Sequence, residues 1–188
     1  MKKQFGKIIY SPSDLIRYAA SPYSSWMDRW YLENPDTITP DKQSEEEKLL
    51  AETGDQHERA VLKGLKDSTP GLVAIEKNDA AAAATLEAIR SGTPVIYQAA
   101  LQHGLFAGFA DFLQLGSTRK YEVWDTKLAL SPKPYYPIQL CCYSEMLAAT
   151  TEQGTPERIG VILGNGEPQK FTSKSRIRVM VATGVSVC

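Results

Sequence analysis

The 188-residue sequence predicts an α/β protein in which helices flank a mixed central sheet. Three observations support this. Capped helix starts recur early, at Ser11-Pro12-Ser13-Asp14, Ser21-Pro22 and Ser44-Glu45-Glu46-Glu47. Residues 94–127 hold three strand-like segments separated by short turns, the pattern of an antiparallel meander. A helical segment then leads to a later strand, which the same sheet can accept.

Composition narrows the class. With 43% apolar and 23% charged residues, disordered and collagen-like chains are excluded, and the length suits one domain with a sizeable core. No apolar run approaches the roughly 20 residues of a membrane span, and the start M-K-K-Q-F-G-K lacks a signal-peptide core. The three cysteines, two of them adjacent (Cys141 and Cys142), form neither a disulfide framework nor a metal-binding spacing. A cytoplasmic protein with reduced thiols and no membrane partner is the expectation. The net charge of −1 neither requires nor excludes nucleic acid, but the charge is uneven. Nine acids lie between Glu33 and Glu58 against Lys42 and Lys48, whereas Lys170, Lys174, Arg176 and Arg178 follow Pro168 with no acid. That basic end is either a phosphate-binding footprint or a solvated tail.

Each element has its own signal. Ser11 caps the first helix, Pro12 suits its first position and Asp14 completes a capping box. The second helix, from Ser21-Pro22, carries Tyr23, Trp26, Trp30 and Tyr31. Trp26 and Trp30 share a face, and such spacing favours core over a base-stacking platform. Residues 34–43, with Pro35 and Pro40, read as a loop. Ser44 opens a long helix to about Lys66, its acids placed against the dipole. Leu50, Gly54, His57, Val61 and Leu65 recur at helical spacing, which puts His57 on the buried face and Glu58 on its flank. His57 is then either a satisfied core residue or, as a neutral imidazole, a ligand suited to manganese or iron. Leu72–Lys77 suits a short strand, Asp79–Ser91 an alanine-rich helix ended by Gly92, and Pro94–Leu101 the first long strand. His103-Gly104 turns the chain into a hairpin, Gly108–Lys127, around the loop Gly116–Lys120. Ser131-Pro132-Lys133-Pro134 breaks the last strand, and a helix from about Tyr136 to Thr151 sets Gln139 and Tyr143 on one face. Glu157–Leu163 is a strand, and Gly164-Asn165-Gly166 turns it into Glu167–Thr172. Residues 1–172 therefore form one domain. Residues 173–188 show no period and no closing cap, and read as a tail at the start of a larger, truncated protein.

The hairpin carries the chemistry. Asp111 and Asp125 are equally distant in sequence from Thr118. If Leu115 pairs with Tyr121, the two aspartates oppose one another with β-carbons about 5 Å apart, a repulsive arrangement. A divalent cation between them removes the repulsion, since magnesium and manganese bind hard carboxylate oxygens. Lys127, two residues beyond Asp125, shares its face and can orient a water or steady a phosphate. Alternatively, both aspartates end strands at the solvent and Lys127 only neutralises them.

The ordered set (a helix bearing G-D-Q-H-E, A-D on one strand, D-T-K on the next, then a helix with Q-L-C-C-Y) resembles the PD-(D/E)xK nucleases. More narrowly it is similar to their RecB-type branch, which includes CRISPR-adaptation exonucleases and nuclease domains fused to helicases. The resemblance runs from about Ser11 to Leu163. Its motifs are individually short, and their order carries the specificity. It implies a restriction-endonuclease-like core with an N-terminal helical segment. It further implies His57 as the helix ligand of a metal, with Glu58 as the alternative metal or catalytic residue. Asp111 matches the first strand carboxylate, and Asp125 and Lys127 match the acid and lysine of D/E-x-K. The backbone carbonyl of Thr126 is a further implied ligand, and Gln139 and Tyr143 match a Q-x-x-x-Y motif associated with DNA contact. The implied cofactor is magnesium or manganese. The implied partners are DNA, as single strands or duplex ends, and a helicase domain or subunit. Many members carry a cysteine where Ser21 stands here and three more near the C-terminus. With three cysteines in all against the four thiolates such a cluster needs, no iron–sulfur cluster is expected. The expected function is metal-dependent hydrolysis of DNA; a catalytically inactive nucleic-acid-binding or partner-docking module on the same fold is the alternative.

The two readings of His57 separate by experiment. If it is a ligand, His57→Leu keeps the fold but loses part of the stabilisation that manganese gives the wild type. Equal manganese-induced shifts in melting temperature would make it a packing residue.

Overall fold

The computed structural model describes residues 1–37, 39 and 41–172; the expected tail, with Lys174, Arg176, Arg178 and Cys188, lies outside them. In chain order the elements are β1 (Lys2–Gln4), β2 (Lys7–Ile9), α1 (Pro12–Ala20), α2 (Pro22–Glu33), α3 (Glu45–Ser68), β3 (Val73–Ala74) and α4 (Ala81–Arg90). They continue with β4 (Val95–His103), β5 (Phe106–Leu115), β6 (Tyr121–Thr126), α5 (Tyr136–Thr150), β7 (Arg158–Ile162) and β8 (Pro168–Thr172).

The expected helix starts are built as the sequence suggests. The Ser11 N–H donates to Asp14 Oδ2 at 2.7 Å, and the Ser44 N–H donates to Glu47 Oε2 at 2.8 Å while Glu47 N–H returns a bond to Ser44 Oγ at 3.1 Å. The hairpin β1–β2 lacks a strong sequence signal. Phe5 and Gly6 turn it at φ +48° and +76°, and a phenylalanine is an unusual residue for such a turn.

Six strands form one mixed sheet in the order β3-β4-β5-β6-β7-β8, and β1–β2 stand apart as a two-stranded ribbon. Strands β4, β5 and β6 make the expected antiparallel meander, and α5 then carries the chain across to β7, which runs parallel to β6. β3 is parallel to β4, and β8 closes the other edge antiparallel to β7. This is an α/β fold with a mixed sheet flanked by helices, compatible with a nuclease-like core.

The sheet has a thick face and a thin one. On the thick face Leu140, Met146 and Leu147 of α5 and Ala81 and Ala88 of α4 pack with Ile96, Leu113, Val123 and Val161, and Leu15 of α1 joins them. Helix α5 is buried from Tyr136 to Ser144 without a break, because α1 covers the side that the sheet does not. On the thin face Val61, Leu62 and Leu65 of α3 cover Val95, Phe112 and Trp124.

Two expectations about apolar stripes fail. The α3 stripe begins only at Gly54, and Leu50 is 64% exposed, in line with residues 45–53, which are all exposed. Trp26 and Trp30 do share a face, with ring centroids 5.5 Å apart, but they are 52% and 40% exposed rather than core. Helix α2 meets the fold chiefly through α1, so these rings have no second layer to enter. No described helix is long and apolar enough to cross a membrane.

Gly160 is fixed by packing. It pairs with Trp124, and a β-carbon there would lie 2.3 Å from the indole Cε3. Since Trp124 is itself buried, Gly160→Ala is expected to lower unfolding stability by about 1–3 kcal/mol in chemical denaturation.

Candidate active site

The sheet forks where the two aspartates meet. The β5–β6 ladder runs from Leu115↔Tyr121, the pairing expected from the sequence, to Phe112↔Trp124 and stops one position short of Asp111 and Asp125. Beyond that point β5 continues along β4 to the Phe106↔His103 pair, and β6 follows β7 to the Thr126↔Ile162 pair. Strand alternation is also reset here. Ile96 and Ala99 both enter the large core although they are three residues apart, and so do Ala110 and Leu113 across the ladder. A regular strand repeats every second residue, so one position in each strand is extra. Tyr97 and Phe112 turn to the thin face, which leaves Gln98 and Asp111 as the facing pair at the reset.

Contacts join most of the expected site residues. Asp111 Oδ2 accepts from the Thr126 N–H at 2.8 Å and from Thr126 Oγ1 at 2.9 Å. Asp125, only 5% exposed, pairs through Oδ2 with Lys127 Nζ at 2.5 Å. The same ammonium donates to Gln139 Oε1 at 3.3 Å and lies 5.8 Å from the centre of the Tyr136 ring. Tyr143 donates its hydroxyl to the Phe109 carbonyl at 2.7 Å. Gly108 makes that approach feasible, since a β-carbon there would lie 2.8 Å from the Tyr143 hydroxyl and 3.0 Å from Pro12 Cδ. Gln139 and Tyr143 are buried, with their polar ends engaged by protein. In this arrangement they brace Lys127 and β5.

The charges are strained in a consistent direction. Burial, then the charge of Asp125 and a hydrogen bond shared with it, raise the Asp111 carboxyl to about 7, against the opposing pull of the Thr126 donors. Burial would lower the Lys127 ammonium, but its pairing with Asp125 outweighs that and raises it. Burial, followed by the charges of Asp111 and Asp125, keeps the Tyr143 phenol protonated well above its ordinary range. Two carboxylates with one ammonium are short of positive charge. Their hard oxygens suit a magnesium or manganese ion, which would supply it.

The two α3 candidates make their contacts on other strands, with no hydrogen bond to either aspartate among the described residues. His57 Nε2 lies 3.5 Å from the Ile162 carbonyl, against β7. Glu58 turns to β4, where its Oε1 accepts from the Tyr97 hydroxyl at 2.7 Å and from Gln98 Nε2 at 2.5 Å. Among the described residues no group of three or more His, Cys, Asp or Glu side chains is arranged to hold a metal ion. Tyr97 links the two regions: burial, its bond to Glu58 and the charge of Glu58 raise its phenol to about 12, and Asp111 adds to the shift. Sequence reasoning missed Tyr97 and Gln98, because nothing in V-I-Y-Q-A-A marks a strand residue that leaves the extended conformation.

The strain at Asp111 gives a stability test. A carboxyl raised from an ordinary value near 4 favours the folded state while protonated, and that advantage is lost as pH climbs through 7. In chelator-treated protein the Asp111→Asn variant, which cannot ionise, is expected to gain in melting temperature over wild type between pH 5 and pH 8. Parallel pH profiles would show that the aspartate pair is not strained. No protein-family model matches this chain, and none of the curated proteins matches it.

Proposed function

We propose that the protein is a metal-dependent nuclease that hydrolyses DNA phosphodiester bonds at the β5–β6 fork. One observation supports this above the others: Asp111 and Asp125 meet where the strands part, with Lys127 bonded to Asp125 and steadied by Gln139. Such a group answers the difficulty of the reaction, in which anionic phosphate oxygens repel a nucleophile and the leaving alkoxide is poor.

Asp111 and Asp125, with the Thr126 carbonyl, are the residues that would hold a magnesium or manganese ion. When bound, such an ion supplies charge neutralisation at a non-bridging phosphate oxygen and acidifies a coordinated water. Thr126 orients Asp111 through two hydrogen bonds, so that carboxylate is aimed before substrate arrives. Lys127, held by Asp125 and Gln139, is a fixed positive charge beside the carboxylate pair, and it would steady the attacking water or the phosphate. Tyr143 braces β5 against α5 behind the site.

DNA as the substrate class, a helicase domain or subunit as partner and a cytoplasmic setting rest on the family resemblance. The protein's charge does not select them. The alternative, a binding module without catalysis, leaves the pairing of two carboxylates unexplained.

Cleavage of single-stranded and duplex-ended DNA is expected with magnesium or manganese, and not with calcium or excess chelator. Asp111→Asn and Asp125→Asn should each abolish it. Lys127→Met should lower kcat by about 10²–10³-fold, as loss of a charge-stabilising group does, while retaining manganese-induced thermal stabilisation. Full activity in Asp125→Asn would overturn the mechanism, and DNA binding without cleavage by wild type would favour the binding module.

A further inference from the structure

Gln98 lies inside β4, only 7% exposed, with φ +55°. A non-glycine residue in the left-handed region within a strand is costly, and it persists only where the surroundings impose it. Here the imposition is visible. An extended Gln98 would follow Ile96 into the large apolar core and bury its amide there. The left-handed turn instead lets Ala99 take that place, and the Gln98 amide reaches Glu58 on α3. The register on either side, Tyr97↔Phe112 and Ala99↔Ala110, puts the turn level with Asp111, at the position where alternation resets in both strands.

Both donors converge on one atom. Gln98 Nε2 and the Tyr97 hydroxyl bond to Glu58 Oε1, and among the described residues Oε2 has no hydrogen-bond partner. Glu58 is thereby fixed in rotation with one oxygen uncommitted, beside the strand pair that bears Asp111. The left-handed turn at the register position of Asp111 and the amide that fixes Glu58 belong to the same residue.

We propose that Gln98 is a positioning residue whose amide, turned out of the core by its left-handed backbone, sets Glu58 beside Asp111 for metal-dependent cleavage. The assignment rests on the nuclease reading, and the experiment distinguishes the two. Wild type, Gln98→Gly and Tyr97→Phe are compared in steady-state DNA cleavage and in thermal unfolding against manganese concentration. Glycine accepts φ +55° without strain, so Gln98→Gly keeps the strand path and loses the amide. Its kcat is expected to fall by about 10–100-fold with KM for DNA unchanged, and the manganese concentration giving half of the thermal shift should rise. Tyr97→Phe removes the other donor to the same oxygen without altering the backbone, and should change both readouts in the same direction by a smaller factor. An active wild type with unchanged kcat and manganese response in Gln98→Gly overturns this assignment alone. If Gln98→Gly does not fold, an unchanged manganese response in Tyr97→Phe overturns it instead. A wild type that neither cleaves DNA nor is stabilised by manganese overturns the nuclease reading and this assignment together.

Discussion

The repulsion between Asp111 and Asp125 is the constraint around which the centre of the molecule is arranged. Two carboxylates facing each other across a continuous ladder would weaken it, and here the ladder ends one residue before them. Strand β5 leaves with β4 and β6 leaves with β7, so the hydrogen bonds lost between β5 and β6 are replaced by bonds to other strands. Thr126 and Lys127 each engage one aspartate from the strand's own continuation. The fork is thus the arrangement in which the pair is tolerated.

Keeping a fork open inside a sheet requires support from both faces. Helix α5 gives it on the thick face. Its N-terminal half is buried on all sides, and its polar residues there are used inward, Gln139 on Lys127 and Tyr143 on the Phe109 carbonyl. The approach of Pro12, Tyr143 and Gly108 ties α1, α5 and β5 together beside the site. On the thin face α3 gives less cover but adds a charged group, because Glu58 binds the strand residues next to the reset in alternation. One face supports the fork and the other sets Glu58 against the strand beside it.

Much of this was legible in the sequence, for local reasons. Capping boxes at Ser11 and Ser44, the turn at Gly164-Asn165-Gly166 and the hairpin register around Thr118 depend on residues close together in the chain. So did the likeness in position of Asp111, Asp125 and Lys127, since the period of a strand determines which side chains share a face. The exposure of the α2 aromatic stripe and the late start of the α3 stripe were not legible, for the opposite reason. Helical spacing shows that Trp26 and Trp30, or Leu50 and Gly54, lie on one face, but not whether anything covers that face.

By itself, then, the sequence determined the order of elements, the register that opposes the two aspartates and the placing of Lys127 beside them, all consequences of short-range backbone geometry. Only the tertiary structure decided that the ladder parts at that pair, that Gln139 and Tyr143 turn inward, and that His57 and Glu58 go to different strands. It also decided that Gln98 abandons the extended conformation. The physical reason is shared: each outcome depends on how helices packed from distant parts of the chain compete for the two faces of one sheet, and no local period carries that information.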